Sequence, residues 1–107
     1  MNKNEIRLLF MGTPEIAKTV LEVVINEGYN VVGVIAQPDR PIGRKGNIEK
    51  VPTKIVAEQH DIPVFQPVKI RKEYEFVKDL KPDIILTIAY GQIVPQGLLD
   101  SPPYGAL

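Results

Sequence analysis

Ile6-Arg7-Leu8-Leu9-Phe10-Met11-Gly12-Thr13-Pro14-Glu15 is a short, mostly apolar run that stops at a glycine and passes at once into helix-starting chemistry. Near-continuous apolar character suits a strand buried on both faces, as in a parallel sheet, better than a half-exposed one. Behind it Thr13 offers a capping hydroxyl, Pro14 a first helical residue and Glu15 an acid in the first turn. Ala17, Val20, Leu21 and Val24 then recur at helical spacing, and Gly28 supplies a left-handed end.

The same alternation continues outward. Val31 to Ala36 reads as a second strand, stopped by Gln37-Pro38-Asp39-Arg40-Pro41 because neither proline can donate to a ladder. Pro38 to Lys50 has no apolar periodicity and reads as a long surface loop. Pro52 to His60 reads as a short helix carrying Ile55, Val56 and Gln59 at the expected offsets, Ile62 to Phe65 as a third strand, Lys72 to Leu80 as a helix, and Asp83 to Ala89 as a fourth strand. Strand alternating with helix implies an α/β, Rossmann-like parallel sheet of about four strands in the order 3-2-1-4, with helices on both faces. Residues 1–107 read as one domain, incomplete at its carboxyl end, where Ala106-Leu107 looks like a strand just beginning. Tyr90 to Pro95 follows the fourth strand, where open α/β sheets place their ligands.

Composition excludes several classes. The 13 Lys and Arg balance 13 Asp and Glu, so the whole chain offers no general attraction for nucleic acid or anionic lipid, and a polyanion site must be a local patch. Without cysteine there is no disulfide, thiolate nucleophile or Cys-based zinc site, in keeping with a reducing compartment. The amino terminus lacks the apolar run of a signal peptide, and no stretch approaches the ~20 apolar residues of a membrane span. A cytoplasmic protein with no membrane partner is expected.

Few residues suggest chemistry by themselves. Met11-Gly12-Thr13-Pro14 could hold an anion at a helix amino terminus, but two glycines of a dinucleotide fingerprint are missing and no Gly-Lys-Ser/Thr follows. Arg40, Arg44 and Lys45, with Lys50 and Lys54 close behind, make either a solvated loop or a cationic segment that orders on RNA phosphates. His60, the only histidine, sits where it would meet a helix dipole. Glu73, Glu75 and Asp79 read as a wet helix face and Asp83 as the opening of a strand. No triad, acid pair or metal set can be assembled.

Three segments together carry a resemblance: Phe10-Met11-Gly12-Thr13-Pro14, then Gln37-Pro38-Asp39-Arg40-Pro41 with Gly43-Arg44, and Ala89-Tyr90-Gly91-Gln92-Ile93-Val94-Pro95. The chain is similar over its whole length to the amino-terminal part of methionyl-tRNA formyltransferases. The Gly-Thr-Pro turn and the Tyr-Gly-x-Ile loop also resemble the wider group of folate-dependent formyltransferases acting on nucleotide sugars or small amines. The resemblance implies transfer of a formyl group from 10-formyltetrahydrofolate, the co-substrate, to the amino group of initiator methionyl-tRNA. It implies that Arg40, Arg44, Lys45 and Lys50 meet the tRNA, that Tyr90, Gly91, Gln92, Ile93 and Val94 form a wall around the folate pterin, and that Gly12, Thr13 and Pro14 border the cleft.

It also implies that the family's catalytic Asn, His and Asp, its Asn-x-His and Ser-Leu-Leu-Pro motifs and its second domain lie beyond the point matching Leu107. Ala106-Leu107 departs from the usual Cys-Ile there. The chain alone is therefore expected to be inactive, to bind folate poorly and to bind RNA only weakly and in a salt-sensitive way. The alternatives are the matching piece of a sugar-nucleotide formyltransferase, a noncatalytic RNA-binding or interaction module, and a free nucleotide-binding Rossmann module. An apolar fourth strand without a partner on its outer side carries a further expectation, self-association through that edge.

Overall fold

The computed structural model describes residues 2–42 and 47–107. A 3-10 turn at Lys3–Glu5 precedes β1 (Arg7–Gly12), α1 (Glu15–Asn26), β2 (Asn30–Ile35), β3 (Arg40–Ile42), β4 (Asn47–Glu49), α2 (Pro52–Gln59), β5 (Val64–Phe65), α3 (Val77–Leu80), β6 (Ile84–Ile88) and α4 (Gln96–Leu99). The main sheet is parallel throughout and runs β5-β2-β1-β6, the expected order of four, with a separate two-stranded hairpin of β3 and β4.

Alternation along β1 sorts the core. Leu8 and Phe10 pack with Ala17, Leu21, Val56 and Ala57 on the α1 and α2 face. Leu9 and Met11 pack with Ile35, Ile70, Val77, Ile85, Tyr90 and Leu98 on the other. With Leu9, Phe10, Met11, Leu21 and Ile85 wholly buried, β1 is covered on both faces, which is why its sequence reads as an unbroken apolar run. Each such side chain contributes roughly 1.5–3 kcal/mol on leaving water. α1 closes at Gly28, which has φ +93°.

Several sequence expectations are corrected. Pro38 to Lys50 is not a structureless loop. Its described flanks pair as an antiparallel hairpin, Arg40 with Glu49, Pro41 with Ile48 and Ile42 with Asn47. Pro41 is tolerated because both strands of a two-stranded ribbon are edges. α2 buries Thr53, Val56 and Ala57, while Ile55 is 42% exposed and Gln59 exposed, so the inward face lies one position from the one read off the sequence.

The helix expected from Lys72 is a single turn, Val77–Leu80. Upstream, the Lys69 N–H donates to the Glu73 carboxylate at 2.6 Å, Lys72 N–H to the Lys69 carbonyl and Glu73 N–H to the Ile70 carbonyl, so tight turns replace the helical ladder. Phe76 is held by stacking on Phe65, with ring centroids 4.5 Å apart. Asp83, just before β6, accepts the Arg7 N–H at 2.9 Å.

The outer side of β6 is not bare. Ile85 and Thr87 donate their N–H groups to the carbonyls of Gly105 and Leu107 at 3.0 and 2.9 Å, and Leu107 N–H donates to the Ile85 carbonyl at 2.8 Å. Ala106 is thus a parallel bridge partner of Ile85. The unpaired edge on which the expectation of self-association rested is taken up by the chain's own residues.

Candidate functional site

β1, β2 and β6 deliver their carboxyl ends side by side, and the chain leaves β1 toward β2 on one flank while β6 returns on the other, the arrangement that opens a crevice in parallel sheets. Gly12 permits the approach. A Cβ there would lie 2.7 Å from the Ile88 carbonyl oxygen and 2.7 Å from the Ala17 Cβ.

Thr13 joins the three loops at this end. Its hydroxyl donates to the Tyr90 carbonyl at 2.6 Å and accepts the Gln37 N–H at 3.1 Å. The hydroxyl read as a helix cap is therefore not one: Pro14 occupies the N-cap position of α1 and no side chain caps it. Beneath, the wholly buried Thr53 donates its hydroxyl to the Gly12 carbonyl at 2.7 Å, anchoring α2 to the end of β1.

A cleft of about 570 Å³ opens here, bordered by Thr13, Pro14, Gln37, Lys50, Ala89 and Gly91 among others. That volume is in the range of small-molecule sites. Two residues of its wall hold positive φ, Ala89 at +48° and Gly91 at +106°. For alanine the left-handed region costs about 1 kcal/mol and persists only where the surroundings enforce it.

Of the expected wall, Tyr90 and Gly91 line the cleft, but the Tyr90 ring does not. Tyr90 is buried among Leu9, Ile70, Val77 and Leu98, its hydroxyl has no partner among the described residues, and burial, helped by the Glu73 carboxylate, pushes its pKa up to about 12. Its contribution to the cleft is main chain. Gln92 is half-buried, Ile93 is 92% exposed and Val94 packs at the margin of the Tyr90 cluster. Gly12 is buried and does not border the cleft, whereas Thr13 and Pro14 do.

Among the four expected cations, Arg44 and Lys45 lie outside the described residues, and only the backbone of Arg40 is described, at the start of β3. Lys50 borders the cleft and pairs with Glu58 at 2.7 Å. The hairpin is pinned at its base by Asp39, to which sequence reading gave no role beyond its motif. Its carboxylate accepts Lys54 Nζ at 2.8 Å, Gln66 Nε2 at 2.7 Å and the Val51 N–H at 3.2 Å. Burial alone would raise the Asp39 pKa, but the bonds from Lys54, Gln66 and Val51 win and hold it below the ordinary carboxylate value.

Three glutamines complete the polar layer: sequence reading placed Gln92 in the expected wall, gave Gln37 no role beyond its motif, and missed Gln66. Gln66 Nε2 also donates to the Gln37 carbonyl at 3.1 Å, and Gln92 Nε2 donates to Gln37 Oε1 at 2.7 Å. The available signal was the pair of Gln-Pro dipeptides, 37–38 and 66–67, each just after a strand, where proline keeps the preceding residue extended. A second cavity, about 460 Å³ and bordered by Tyr74, Lys78, Lys81, Pro82 and Ser101, lies at the amino end of β6, away from these loops. Among the described residues no three His, Asp or Glu side chains gather to hold a metal, and no helix is long and apolar enough to cross a membrane.

Comparison with known proteins bears on this site. The profile of a family described as formyl transferase matches residues 5–107. A protein of Bacillus thuringiensis subsp. konkukian named methionyl-tRNA formyltransferase is 52% identical over 104 residues, covering 95% of this chain and 33% of its own length. Proteins of the same name from Bacillus cereus strain B4264 and Bacillus mycoides are 53% and 52% identical over 104 and 103 residues. The chain spans about a third of the length of the curated relatives it matches.

Proposed function

The chain belongs to the formyl transferase family, and from that premise we propose that it builds the donor-side wall of a site where a formyl group passes from 10-formyltetrahydrofolate to the amino group of methionine on initiator tRNA, in the cytoplasm. One observation carries the reading. The three segments that bear the resemblance, far apart in sequence, are tied together by the single Thr13 hydroxyl and its neighbours around one cleft.

The cleft suits a flat heteroaromatic donor. Pro14, Val51, Pro52 and Ala89 give it apolar surfaces, and the main chain of Tyr90 and Gly91 gives it a polar edge. When bound, the donor supplies the electrophilic formyl carbon. The chain's part is to bind and orient. The amine loses a proton as its nitrogen bonds to that carbon, and the folate nitrogen gains one as its bond breaks, so an acid–base group is required. The titratable side chains bordering the cleft, Glu15, Glu49 and Lys50, are all exposed, and Lys50 is engaged by Glu58. We assign this chain positioning and donor contact rather than proton transfer. Arg40, Arg44, Lys45 and Lys50 are assigned phosphate contact with the tRNA, weak and falling with salt.

Two measurements test the reading. Incubated with 10-formyltetrahydrofolate and methionyl initiator tRNA, the 107-residue chain should give no transfer above background, and turnover would overturn the assignment of roles. Titration with a stable tetrahydrofolate analogue should move amide resonances of residues 12–14, 37 and 89–94. Movement confined to the cavity near Lys81 and Ser101 would place the ligand elsewhere and sink the proposal.

A further inference from the structure

The side-chain amide of Gln92 makes three hydrogen bonds. Its Oε1 accepts the Ile70 N–H at 2.8 Å, and its Nε2 donates to the Pro67 carbonyl at 3.0 Å and to Gln37 Oε1 at 2.7 Å. Gln37 in turn donates Nε2 to the Gly91 carbonyl at 2.9 Å. The polarity of this clasp is forced. The Ile70 N–H can only donate and the Pro67 carbonyl only accept, so the Gln92 amide has one permitted orientation. Gln37 must therefore turn its oxygen to Gln92 and its nitrogen to Gly91.

The clasp acts on the backbone of the cleft wall. The Tyr90 carbonyl is tied to Thr13 and the Gly91 carbonyl to Gln37. All peptide bonds described are trans. In a trans peptide the N–H opposes the carbonyl, so the N–H groups of Gly91 and Gln92 face away from Thr13 and Gln37, and neither has an acceptor among the described residues. Gly91 also has to be glycine for the clasp to close, since a Cβ would lie 2.7 Å from Gln37 Nε2. The left-handed Ala89 and Gly91 are thus held by bonds from three separate segments, around Thr13, Gln37 and Pro67–Ile70.

We propose that Gln92 is a positioning residue, whose side-chain amide, through Gln37 and the 67–70 segment, sets the conformation of the 89–93 cleft wall and hence its affinity for the formyl donor. The affinity clause rests on the function proposed above, whereas the conformational clause stands without a ligand.

Two variants of near-equal shape separate polarity from packing. Gln92→Met removes all three bonds. Gln92→Glu keeps the acceptor for Ile70 but sets oxygen against oxygen at Pro67 and Gln37, and flipping Gln37 only moves the conflict to Gly91. In the ligand-free chain, amide resonances of Ala89–Val94 should shift in both variants. The Ile70 N–H should exchange about tenfold faster in Gln92→Met, the loss of one ordinary hydrogen bond. Amides of Leu9, Ile35 and Ile85 should stay near wild type, which a general loosening of the core would not allow. If Gln92→Glu does not fold, Gln37→Met opens the same clasp from its other side. Resonances of Ala89–Val94 that superpose on wild type in Gln92→Met would overturn the proposal.

A tetrahydrofolate analogue then reads the affinity clause. It should bind Gln92→Met about tenfold more weakly, and equal affinity would overturn that clause. Failure of the wild-type chain to bind would count against both the affinity clause and the proposed function, while the ligand-free spectra still decide the clasp.

Discussion

The two ends of the parallel sheet are tied in opposite ways. At the amino end, Arg7 and Asp83 exchange main-chain bonds, the Arg7 N–H to the Asp83 carboxylate and the Asp83 N–H to the Arg7 carbonyl, while the guanidinium covers the Leu80 and Lys81 carbonyls at the end of α3. Charged donors there meet helix-end acceptors and leave little unmet. At the carboxyl end the ties are neutral hydroxyls and amides, they enforce left-handed backbone at Ala89 and Gly91, and the Gly91 and Gln92 N–H groups have no acceptor among the described residues. The amino end is closed by charged side chains, whereas the carboxyl end holds strained backbone beside an open cleft.

The largest effect that would sharpen this contrast is Gly12→Ala. The new methyl meets backbone oxygen at 2.7 Å, so strands must separate at the end of β1. We expect a loss of about 1–3 kcal/mol in urea unfolding, together with resonance shifts at both Thr13 and Tyr90. An unchanged midpoint would mean that the close approach of β1 and β6 is not required.

Next comes Arg7→Met, which keeps the stem and removes the charge-assisted bonds at the other end. A loss of about 1–2 kcal/mol is expected, with resonances of residues 89–94 unmoved. Movement at the cleft would show that the two ends are not independent.

The smallest effect concerns Asp39 at the hairpin base. Its folded pKa lies below its ordinary value of 3.8, so the stability it contributes is fully present above that value and is lost as pH falls through the lowered one. Comparing acid unfolding of wild type and Asp39→Asn should show a difference of about 1 kcal/mol or less above pH 4 that closes at lower pH. A difference that persists undiminished in acid would contradict the Lys54 pairing.

The architecture was legible because strand burial is written locally. Leu8 to Met11 and Ile84 to Ile88 are apolar on both faces, and only a sheet covered by helices on both sides accepts such runs. The site was half legible. Short segments with unusual backbone demands, Gly12-Thr13-Pro14 and Tyr90-Gly91, stand out in any sequence. The roles of Thr13, Gln37, Thr53, Gln66 and Gln92 do not, because a hydroxyl or amide is equally suited to solvent, a helix cap or a tertiary bond. The inward face of α2 was misread for a related reason, since Thr53 is buried by its bond to the Gly12 carbonyl and not by hydrophobicity.

Sequence by itself therefore determined the order of strands and helices, the two-faced core and the loops that border the cleft, all consequences of where apolar residues recur and where proline and glycine stop them. Only tertiary structure decided that the end of the chain covers β6, that Arg40–Ile42 and Asn47–Glu49 pair as a hairpin, and that three glutamines bind the cleft wall to its neighbours. Each of these depends on a donor meeting an acceptor outside its own element, at the extreme across the 55-residue step from Gln37 to Gln92, and such a meeting has no periodicity to betray it.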